Sequence, residues 1–242
     1  MKVRPAPLAS LLKKLLRVKR QVVEAKEGKF LIDPVSEFGN ELRTTKGYEP
    51  ETEAIIRTLK PSDVFVDVGA NEAYFTVMAA KRCQRVIAVE PQPRLQSVIK
   101  ANLELNDCQN VTVYECVISD QPGELELFLS SDRNTGSTSV KQTTRYPQAK
   151  IKVEAKTLPQ ILNGVERVDL LKLDVEGAEY DIILGSPDTF KSGIIKRMAL
   201  EIHPKALKPE QIAEIRTFLN SCGYRITGEG LTLDCSYTKQ TS

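Results

Sequence analysis

The first residues that could do chemistry lie in a short stretch at positions 64–73. Its apolar part, 64–68, is typical of a buried parallel strand, and it carries Asp67 near its carboxyl end. A carboxylate there is costly to bury without a partner, and ligands bind at this end of such strands. A tight turn follows at 69–71, and a helix is expected from about Ala73. The backbone N–H groups of such a turn can receive an anionic group of a ligand.

A second acid stands where a ribose would need one. The apolar run 85–89 ends in Glu90, which lies 21 positions after Gly69. This is close to the ~20-residue interval at which an acid binds the hydroxyl pair of a ribose in α/β nucleotide sites. The alternative is that Glu90 only caps the helix that follows. Because strand, turn, helix, strand and acid follow one another in the expected order, the ribose role is favoured.

The turn lacks the glycine pattern of dinucleotide-binding sites. Asn71 stands where the second glycine of G-x-G-x-x-G would be, and Ala73 where the third would be. Asn tolerates positive φ, so Asn71 can still form the bend. If Ala73 belongs to the helix, Ala73→Gly would cost about 0.5–1 kcal/mol of stability. A pyrophosphate needs close access to the backbone, so a nicotinamide dinucleotide is disfavoured as the ligand.

A second set of acids, with the only histidine of the chain, follows two later apolar runs. The four residues are Asp174, Glu176, Glu201 and His203. If the strands are parallel, their carboxyl ends bring these side chains to one edge of the sheet, where a second substrate would arrive. Histidine with its ordinary pKa of about 6.5 can accept a proton near neutrality. The same donors can hold a divalent cation, and a histidine at a strand end can also simply hydrogen-bond to a loop.

Strands and helices alternate along the rest of the chain. This order predicts a doubly wound, Rossmann-like α/β sheet that is mostly parallel. A third strand is expected over 111–117 and a polar surface loop over 130–148, a length that is often functional. The segments 224–227 and 231–237 are expected to form a terminal antiparallel pair.

The first 20 residues carry seven of the 34 basic residues and none of the 32 acids. Leucines at 8, 11, 12, 15 and 16 follow helical spacing, with most basic residues on the other face. We therefore divide the chain into a basic amphipathic helix segment, 1–28, and one α/β domain, 29–242. The helix at 8–20 can lie on an anionic membrane, dock on a partner, or cover apolar surface of the domain itself.

The composition limits the expected cellular compartment and the expected binding partners of the protein. The five cysteines show no C-x-x-C pair and no metal-ligand spacing, which is typical of reduced thiols in a cytosolic protein. No apolar run reaches the ~18 residues that cross a bilayer. The net charge of +2 implies no polyanionic partner. We expect a cytoplasmic protein that binds no nucleic acid. Peripheral contact with a membrane through residues 8–20 is one option, and packing of this helix on the domain itself is somewhat favoured over it.

Five segments together resemble the FkbM family of S-adenosylmethionine-dependent methyltransferases. They are Asp67-Val-Gly-Ala-Asn71, Ala88-Val-Glu-Pro91, Asn134-Thr-Gly-Ser137, Leu171-Lys-Leu-Asp-Val-Glu-Gly-Ala-Glu179 and Leu200-Glu-Ile-His203. The similarity runs from about residue 30 to about residue 228, and Asp-Val-Glu-Gly-Ala-Glu is its most specific part. The family usually has Gly at the position of Ala73, and the basic N-terminal helix lies outside the resemblance.

The resemblance implies a seven-stranded methyltransferase sheet and methyl transfer from S-adenosylmethionine to an oxygen of a sugar, glycolipid precursor or natural product. The methionine carboxylate would face the turn, Asp67 would meet the ammonium, and Glu90 the ribose hydroxyls. The cofactor-binding residues are then expected to be Asp67, Gly69, Ala70, Asn71, Ala73, Glu90 and, from the loop before the second helix, Glu49. The catalytic residues are expected to be Asp174, Glu176, Glu201 and His203, with a divalent metal at Asp174, Glu201 and His203 as one version.

Two other functions compete with this one. A nicotinamide-dependent oxidoreductase is disfavoured by the missing glycines. A cofactor-binding module without catalysis, attached to a membrane or partner through the basic helix, is the alternative from a different class. The presence of both the cofactor acids and the second acidic cluster favours an enzyme.

Overall fold

The structure, a computed structural model, describes residues 19–130, 134–141, 149–228 and 230–238. Its strands are β1 (Gln21–Ala25), β2 (Gly28–Ile32), β3 (Val64–Val68), β4 (Arg85–Val89), β5 (Val111–Tyr114), β6 (Val117–Ile118), β7 (Gly123–Leu129), β8 (Ala149–Lys156), β9 (Leu170–Leu173), β10 (Arg197–Glu201), β11 (Tyr224–Thr227) and β12 (Thr232–Tyr237). Its helices are α1 (Glu37–Thr45), α2 (Pro50–Ile56), α3 (Tyr74–Ala80), α4 (Pro93–Glu104), α5 (Leu158–Ile161), α6 (Glu179–Gly185), α7 (Pro187–Lys191) and α8 (Pro209–Cys222).

Seven of these strands form one mixed sheet in the order β11-β12-β10-β9-β3-β4-β5. The five strands from β10 to β5 run parallel, and β12 pairs antiparallel with both β10 and β11. The predicted doubly wound sheet with its terminal antiparallel pair is therefore confirmed. Because β3 lies between β9 and β4, the turn after β3 is next to the carboxyl ends of both neighbours.

The predicted third strand divides in two. Only β5 joins the large sheet, whereas β6 pairs with β8 in a separate three-stranded sheet, β6-β8-β7. The two residues between them, Glu115 and Cys116, belong to neither sheet. The described part of the predicted loop includes a 3₁₀ turn, Thr135–Ser137, and returns to β7 through paired hydrogen bonds between Phe128 and Ser139. This return places the loop over the carboxyl edge of the large sheet.

The N-terminal boundary differs from the prediction. Strand β1 pairs with β2, so the boundary drawn after residue 28 falls inside a hairpin. Most of the predicted helix at 8–20 lies outside the described residues. Residues 19 and 20 have no regular structure, and Arg20 forms an ion pair with Glu72 at 2.8 Å. The described helices include none that is long and apolar enough to cross a membrane.

Apolar side chains fill the space between the sheet and the helices on each of its faces. One face packs β9 and β10 against α6 and α8, with Leu171, Ile182 and Leu219 fully buried. The other packs β3 against α3 and the β1–β2 hairpin, with Phe65 and Met78 fully buried. Burial of each such side chain stabilises the fold by about 1.5–3 kcal/mol. The two layers leave the carboxyl edge of the sheet open between them.

Candidate active site

A cavity of about 270 Å³ opens at the carboxyl ends of β3, β4, β9 and β10. This is where open α/β sheets bind ligands. Its wall contains the turn after β3, the residues after β4, the loop at 134–140 and the residues after β9. The acidic residues of the wall are Glu37, Glu41, Glu49, Glu72, Glu90, Asp174, Glu176 and Glu201. Lys172 is the one basic residue among the described residues that line it, so the cavity favours a cationic ligand.

Glu90 lies in this wall with only 3% of its surface exposed. One carboxylate oxygen accepts the N–H of Asn71 at 2.8 Å, and the other accepts the N–H of Gln92 at 3.0 Å. Burial raises the pKa of Glu90 above its ordinary value, while the two N–H groups oppose this shift. Gln92 is the N-cap residue of α4, and no side chain caps this helix, so Glu90 binds the chain before α4 rather than capping the helix as the alternative required. Each oxygen can still accept a second hydrogen bond, as the ribose role requires.

The turn after β3 uses backbone conformations that glycine favours. Gly69, Asn71 and Ala73 have φ values of +86°, +49° and +65°. A Cβ on Gly69 would overlap the carbonyl oxygen of Asp174, so this position accepts only glycine. Asn71 forms the bend as predicted. Ala73 is not part of α3 but precedes it in the left-handed region, and its methyl group is fully buried against Leu95.

This geometry changes the expected effect of Ala73→Gly. Glycine has no Cβ, so placing it at this left-handed position removes about 1–2 kcal/mol of backbone strain. Losing a buried methyl costs ~0.8 kcal/mol, and the more flexible unfolded chain costs about 0.4–1 kcal/mol. We therefore expect urea denaturation to give a stability within about 1 kcal/mol of wild type.

A matched control is Ala101→Gly inside α4, which should lose about 0.5–1 kcal/mol because the helix interior disfavours glycine. A loss of about 2 kcal/mol or more in Ala73→Gly, beyond any single helix penalty, would contradict the left-handed assignment.

The N–H groups of the turn are used within the protein. Those of Gly69 and Ala70 donate to the carbonyl of Val89 at 3.0 and 3.1 Å, and that of Ala73 donates to the carbonyl of Ala70 at 2.8 Å. Asn71 donates to Glu90, as described above. Four of the N–H groups in the 69–73 turn that was expected to face a ligand carboxylate therefore already have acceptors within the protein. They fix the shape of the wall instead.

Asp67 also differs from its predicted role, because it is fully buried outside the lining of the cavity. Its Oδ2 accepts the hydroxyl of Thr76 at 2.6 Å, and Lys172 Nζ lies 3.4 Å from its Oδ1. The cation near Asp67 is thus the side chain of Lys172 rather than the ammonium of a ligand.

Lys172, like Glu179, is a residue near the site to which sequence reasoning gave no role. Its ammonium group lies 3.2 Å from Asp174 Oδ2 and donates to the carbonyl of Gly69 at 3.1 Å. Burial lowers the pKa of Lys172, but the charges of Asp174, Asp67 and Glu49 outweigh it and raise the pKa above its ordinary value. Lys172 therefore stays charged and joins the turn to β9. A lysine within the apolar run 168–173 was the available signal, since a buried cation needs acidic partners.

The four predicted catalytic residues meet at one point. His203 Nε2 lies 3.7 Å from Asp174 Oδ1, 3.6 Å from Glu176 Oε2 and 3.6 Å from Glu201 Oε1. The other ring nitrogen, Nδ1, lies 2.6 Å from an oxygen of Glu179. Glu179 is fully buried and was not predicted. We call Asp174, Glu176, Glu201 and His203 the acidic cluster.

The charges of this cluster decide what His203 can do. Burial lowers the pKa of His203, but the hydrogen bond to Glu179 and the charges of Glu179, Asp174 and Glu176 raise it to about 9. The imidazole is therefore protonated near neutrality, which does not fit the predicted free base with a pKa of about 6.5. Burial, with the charges of Asp174 and Glu49, raises the pKa of Glu201 to about 7.

Glu49 lies in the wall with the acidic cluster, as a cofactor-binding role would require. Its φ is +43°, and its Oε2 accepts the hydroxyl of Thr52 at 3.2 Å. Burial raises its pKa, while the charge of Lys172 opposes the shift. A non-glycine residue in this backbone region is strained, and such strain is common at binding sites.

The loop at 134–140 joins the two ends of the cavity. Near Glu90, Thr135 donates its hydroxyl to the side chain of Asn71 at 2.9 Å and accepts the amide of Gln92 at 3.1 Å. Near the acidic cluster, Ser139 donates to the carbonyl of Glu176 at 2.7 Å. Residues 134–140, which belong to the described part of the predicted surface loop, therefore form one wall of the site.

Comparisons with known proteins agree with this architecture. The chain matches the family model of the methyltransferase FkbM domain over residues 67–226. It is 29% identical over 201 residues to methyltransferase sdnD of Sordaria araneosa, which covers 69% of this chain and 76% of that protein. It is 27% identical over 149 residues to the 2-O-methyltransferase NoeI of Sinorhizobium fredii, covering 54% of this chain and 60% of that one.

Among solved structures, methyltransferase FkbM from Methylobacillus flagellatus KT aligns with a TM-score of 0.51 at 16% identity. The alignment covers 82% of this chain and 52% of that chain, so the present chain spans about half of its length. At this identity, the likeness concerns the fold.

Proposed function

The chain belongs to the FkbM family of S-adenosylmethionine-dependent methyltransferases, and on this premise we propose that it methylates a hydroxyl group of a sugar, a glycolipid precursor or a natural product. The observation that carries the proposal is that Glu90 lines the same cavity as the three acids of the acidic cluster, with His203 next to them. The first supplies a ribose-binding acid, and the second supplies groups that can deprotonate an acceptor.

The residues of the cavity fit the cofactor. S-adenosylmethionine supplies a methyl group on a positively charged sulfur, and its ammonium group adds a second positive charge. The described residues of the wall include eight acids and one lysine, which suits such a cation and disfavours the pyrophosphate of a dinucleotide. Glu90 would accept the ribose hydroxyls, and the apolar side chains of Val117, Ile118 and Leu127 would contact the adenine. Glu49 lines the cavity, whereas Asp67 does not. Glu49 would therefore accept a hydrogen bond from the ammonium group of the cofactor.

The acidic cluster would serve the acceptor. A hydroxyl oxygen forms the new C–O bond as the C–S bond of the donor breaks, with the electron pair left on sulfur. The hydroxyl proton passes through the cluster to water. Holding the two reactants in line supplies most of the rate in such displacements. The named activity of the relative NoeI, a 2-O-methyltransferase, supports oxygen as the receiving atom.

A transfer assay tests the proposal. The protein is incubated with S-adenosylmethionine labelled in its methyl group and with a panel of sugars, lipid extracts and hydroxylated natural products. We expect label to appear as a methyl ether. Label found only on nitrogen or carbon, or tighter binding of NAD than of S-adenosylmethionine in calorimetry, would contradict it.

Glu90→Ala should weaken the binding of S-adenosylmethionine by about 10- to 150-fold, because a hydrogen bond to a charged group contributes about 1.5–3 kcal/mol. Isothermal calorimetry measures this directly. The matched control is Glu104→Ala, which removes the same side chain from the exposed end of α4. Equal cofactor affinity in wild type and Glu90→Ala would rule out the ribose contact.

A further inference from the structure

We propose that Asp174, Glu201 and His203 form a binding site for a divalent cation, to which the acceptor hydroxyl coordinates. Cation binding itself is independent of the proposed function, whereas its role in catalysis rests on that function. One ligand atom from each residue lies within 4.8 Å of the others. Two carboxylates and one imidazole suit cations that accept both oxygen and nitrogen ligands, and Mn²⁺ is the appropriate probe.

The distances inside the cluster favour a shared cation over direct hydrogen bonds. His203 Nε2 lies 3.7 Å from Asp174 Oδ1 and 3.6 Å from Glu201 Oε1. Both separations exceed the length of a good hydrogen bond. Ligands at about 2.2 Å from one ion are about 3.1–3.6 Å apart at octahedral and tetrahedral angles. Small movements of the side chains would complete such a geometry.

The second ring nitrogen of His203 is held as in known metal sites. Glu179 Oε1 lies 2.6 Å from Nδ1 and also accepts the N–H of Gly177 at 3.0 Å. Metal-bound histidines usually donate their other N–H to a carboxylate, which fixes the tautomer and directs the free nitrogen at the ion. The fully buried Glu179 supplies this carboxylate, and Nε2, which faces the cluster, would release its proton when a cation binds.

The two carboxylate oxygens of Asp174 face different partners. Its Oδ2 lies 3.2 Å from Lys172 Nζ, and its Oδ1 faces His203. Lys172 therefore compensates one side of the carboxylate and leaves the other for an ion. Glu176, whose Oε2 also lies 3.6 Å from His203 Nε2, adds negative charge at the same point.

The proposed site has room for a substrate. The side chains of Asp174 and Glu201 keep 24% and 23% of their surface exposed, and both line the cavity. Three protein ligands leave coordination positions open, as in catalytic rather than structural metal sites. A coordinated hydroxyl loses its proton to water more readily, and its oxygen is then held for attack on the methyl carbon.

Calorimetry with MnCl₂ on the full-length protein, without cofactor or acceptor, tests the binding. We expect one site in the wild type and at least ~10-fold weaker binding in Asp174→Asn, Glu201→Gln and His203→Gln. Glu179→Ala should weaken Mn²⁺ by about 10- to 100-fold, because a carboxylate that orients a metal ligand has effects of that size. Asp181→Asn, a neighbouring acid on α6, should leave Mn²⁺ affinity unchanged.

Each variant is checked for folding by urea denaturation, which does not depend on any ligand. No binding of Mn²⁺, Mg²⁺ or Zn²⁺ by the wild type at millimolar concentration would overturn the proposal, as would Mn²⁺ binding that is unaltered in both Asp174→Asn and His203→Gln. Methyl transfer to a hydroxyl that persists in excess chelator would remove the catalytic role of the cation and leave the proposed function intact. Specific Mn²⁺ binding by a protein that methylates no hydroxyl would support the site and remove the function.

Discussion

Lys172→Met should lower the free energy of unfolding by about 3–5 kcal/mol, the cost of leaving one partner of a buried ion pair without the other. Lys172 and Asp67 are paired neighbours on β9 and β3, and 3% and 0% of their side-chain surfaces are exposed. Methionine keeps a side chain of similar length, so the loss would come from the charge and its hydrogen bonds. Urea denaturation at neutral pH measures it.

A second substitution identifies the cause of that loss. Asp67→Asn in the Lys172→Met background removes the buried carboxylate that has lost its cation, and it should recover part of the stability. The matched control is Lys150→Met. Lys150 forms an exposed ion pair with Glu126, and such pairs contribute about 0–1 kcal/mol to stability. Lys172 would not have the proposed structural role if its replacement cost no more than that of Lys150.

Asp174→Asn should reduce turnover by about 10²- to 10⁴-fold, the contribution expected of a group that assists proton transfer. The amide has the same shape as the carboxylate but carries no charge to assist deprotonation of an acceptor or to bind a cation. Glu90 and the turn after β3 are unchanged, so the affinity for S-adenosylmethionine should stay close to wild type. Steady-state rates on an identified acceptor, with calorimetry of the cofactor, separate the two effects.

The control for this experiment is Asp181→Asn, which removes a charge from a partly exposed ion pair with Lys141. Its turnover should match that of the wild type. Full activity in both Asp174→Asn and His203→Ala would place the chemistry outside the acidic cluster.

The sequence was sufficient for the sheet and for the place where the acidic residues gather. Parallel strands put all their carboxyl ends at one edge, so acids at the ends of apolar runs must meet there. This reasoning brought Glu90, Asp174 and Glu201 to one cavity, although 111 positions separate the first and last of them. This inference depended only on the alternation of strands and helices along the sequence.

The individual roles of Asp67 and His203 could not be predicted in this way, because each depends on a partner distant in sequence. Asp67 faces Lys172 only because β3 lies beside β9, and strand order is not visible in a hydrophobic pattern. His203 acquires its raised pKa in part from Glu179, which lies at the start of α6. Alanine favours helices, so Ala73 was expected at the start of a helix. In the structure it precedes α3 and has a positive φ, which its residue type does not indicate.

The contact between Gly69 and the carbonyl of Asp174 has a consequence for substrate range. Lys172 and the hydrogen bond from Asp174 N–H to the carbonyl of Val68, at 3.1 Å, hold the same two segments together. The distance between the turn after β3 and Asp174 is therefore set mainly by the backbone. Glu37 and Glu41, which line the cavity from α1, take no part in the contacts that hold these two segments together. Under the proposed function, substitutions on α1 are therefore expected to change which acceptor is bound without changing the distance between the turn and Asp174.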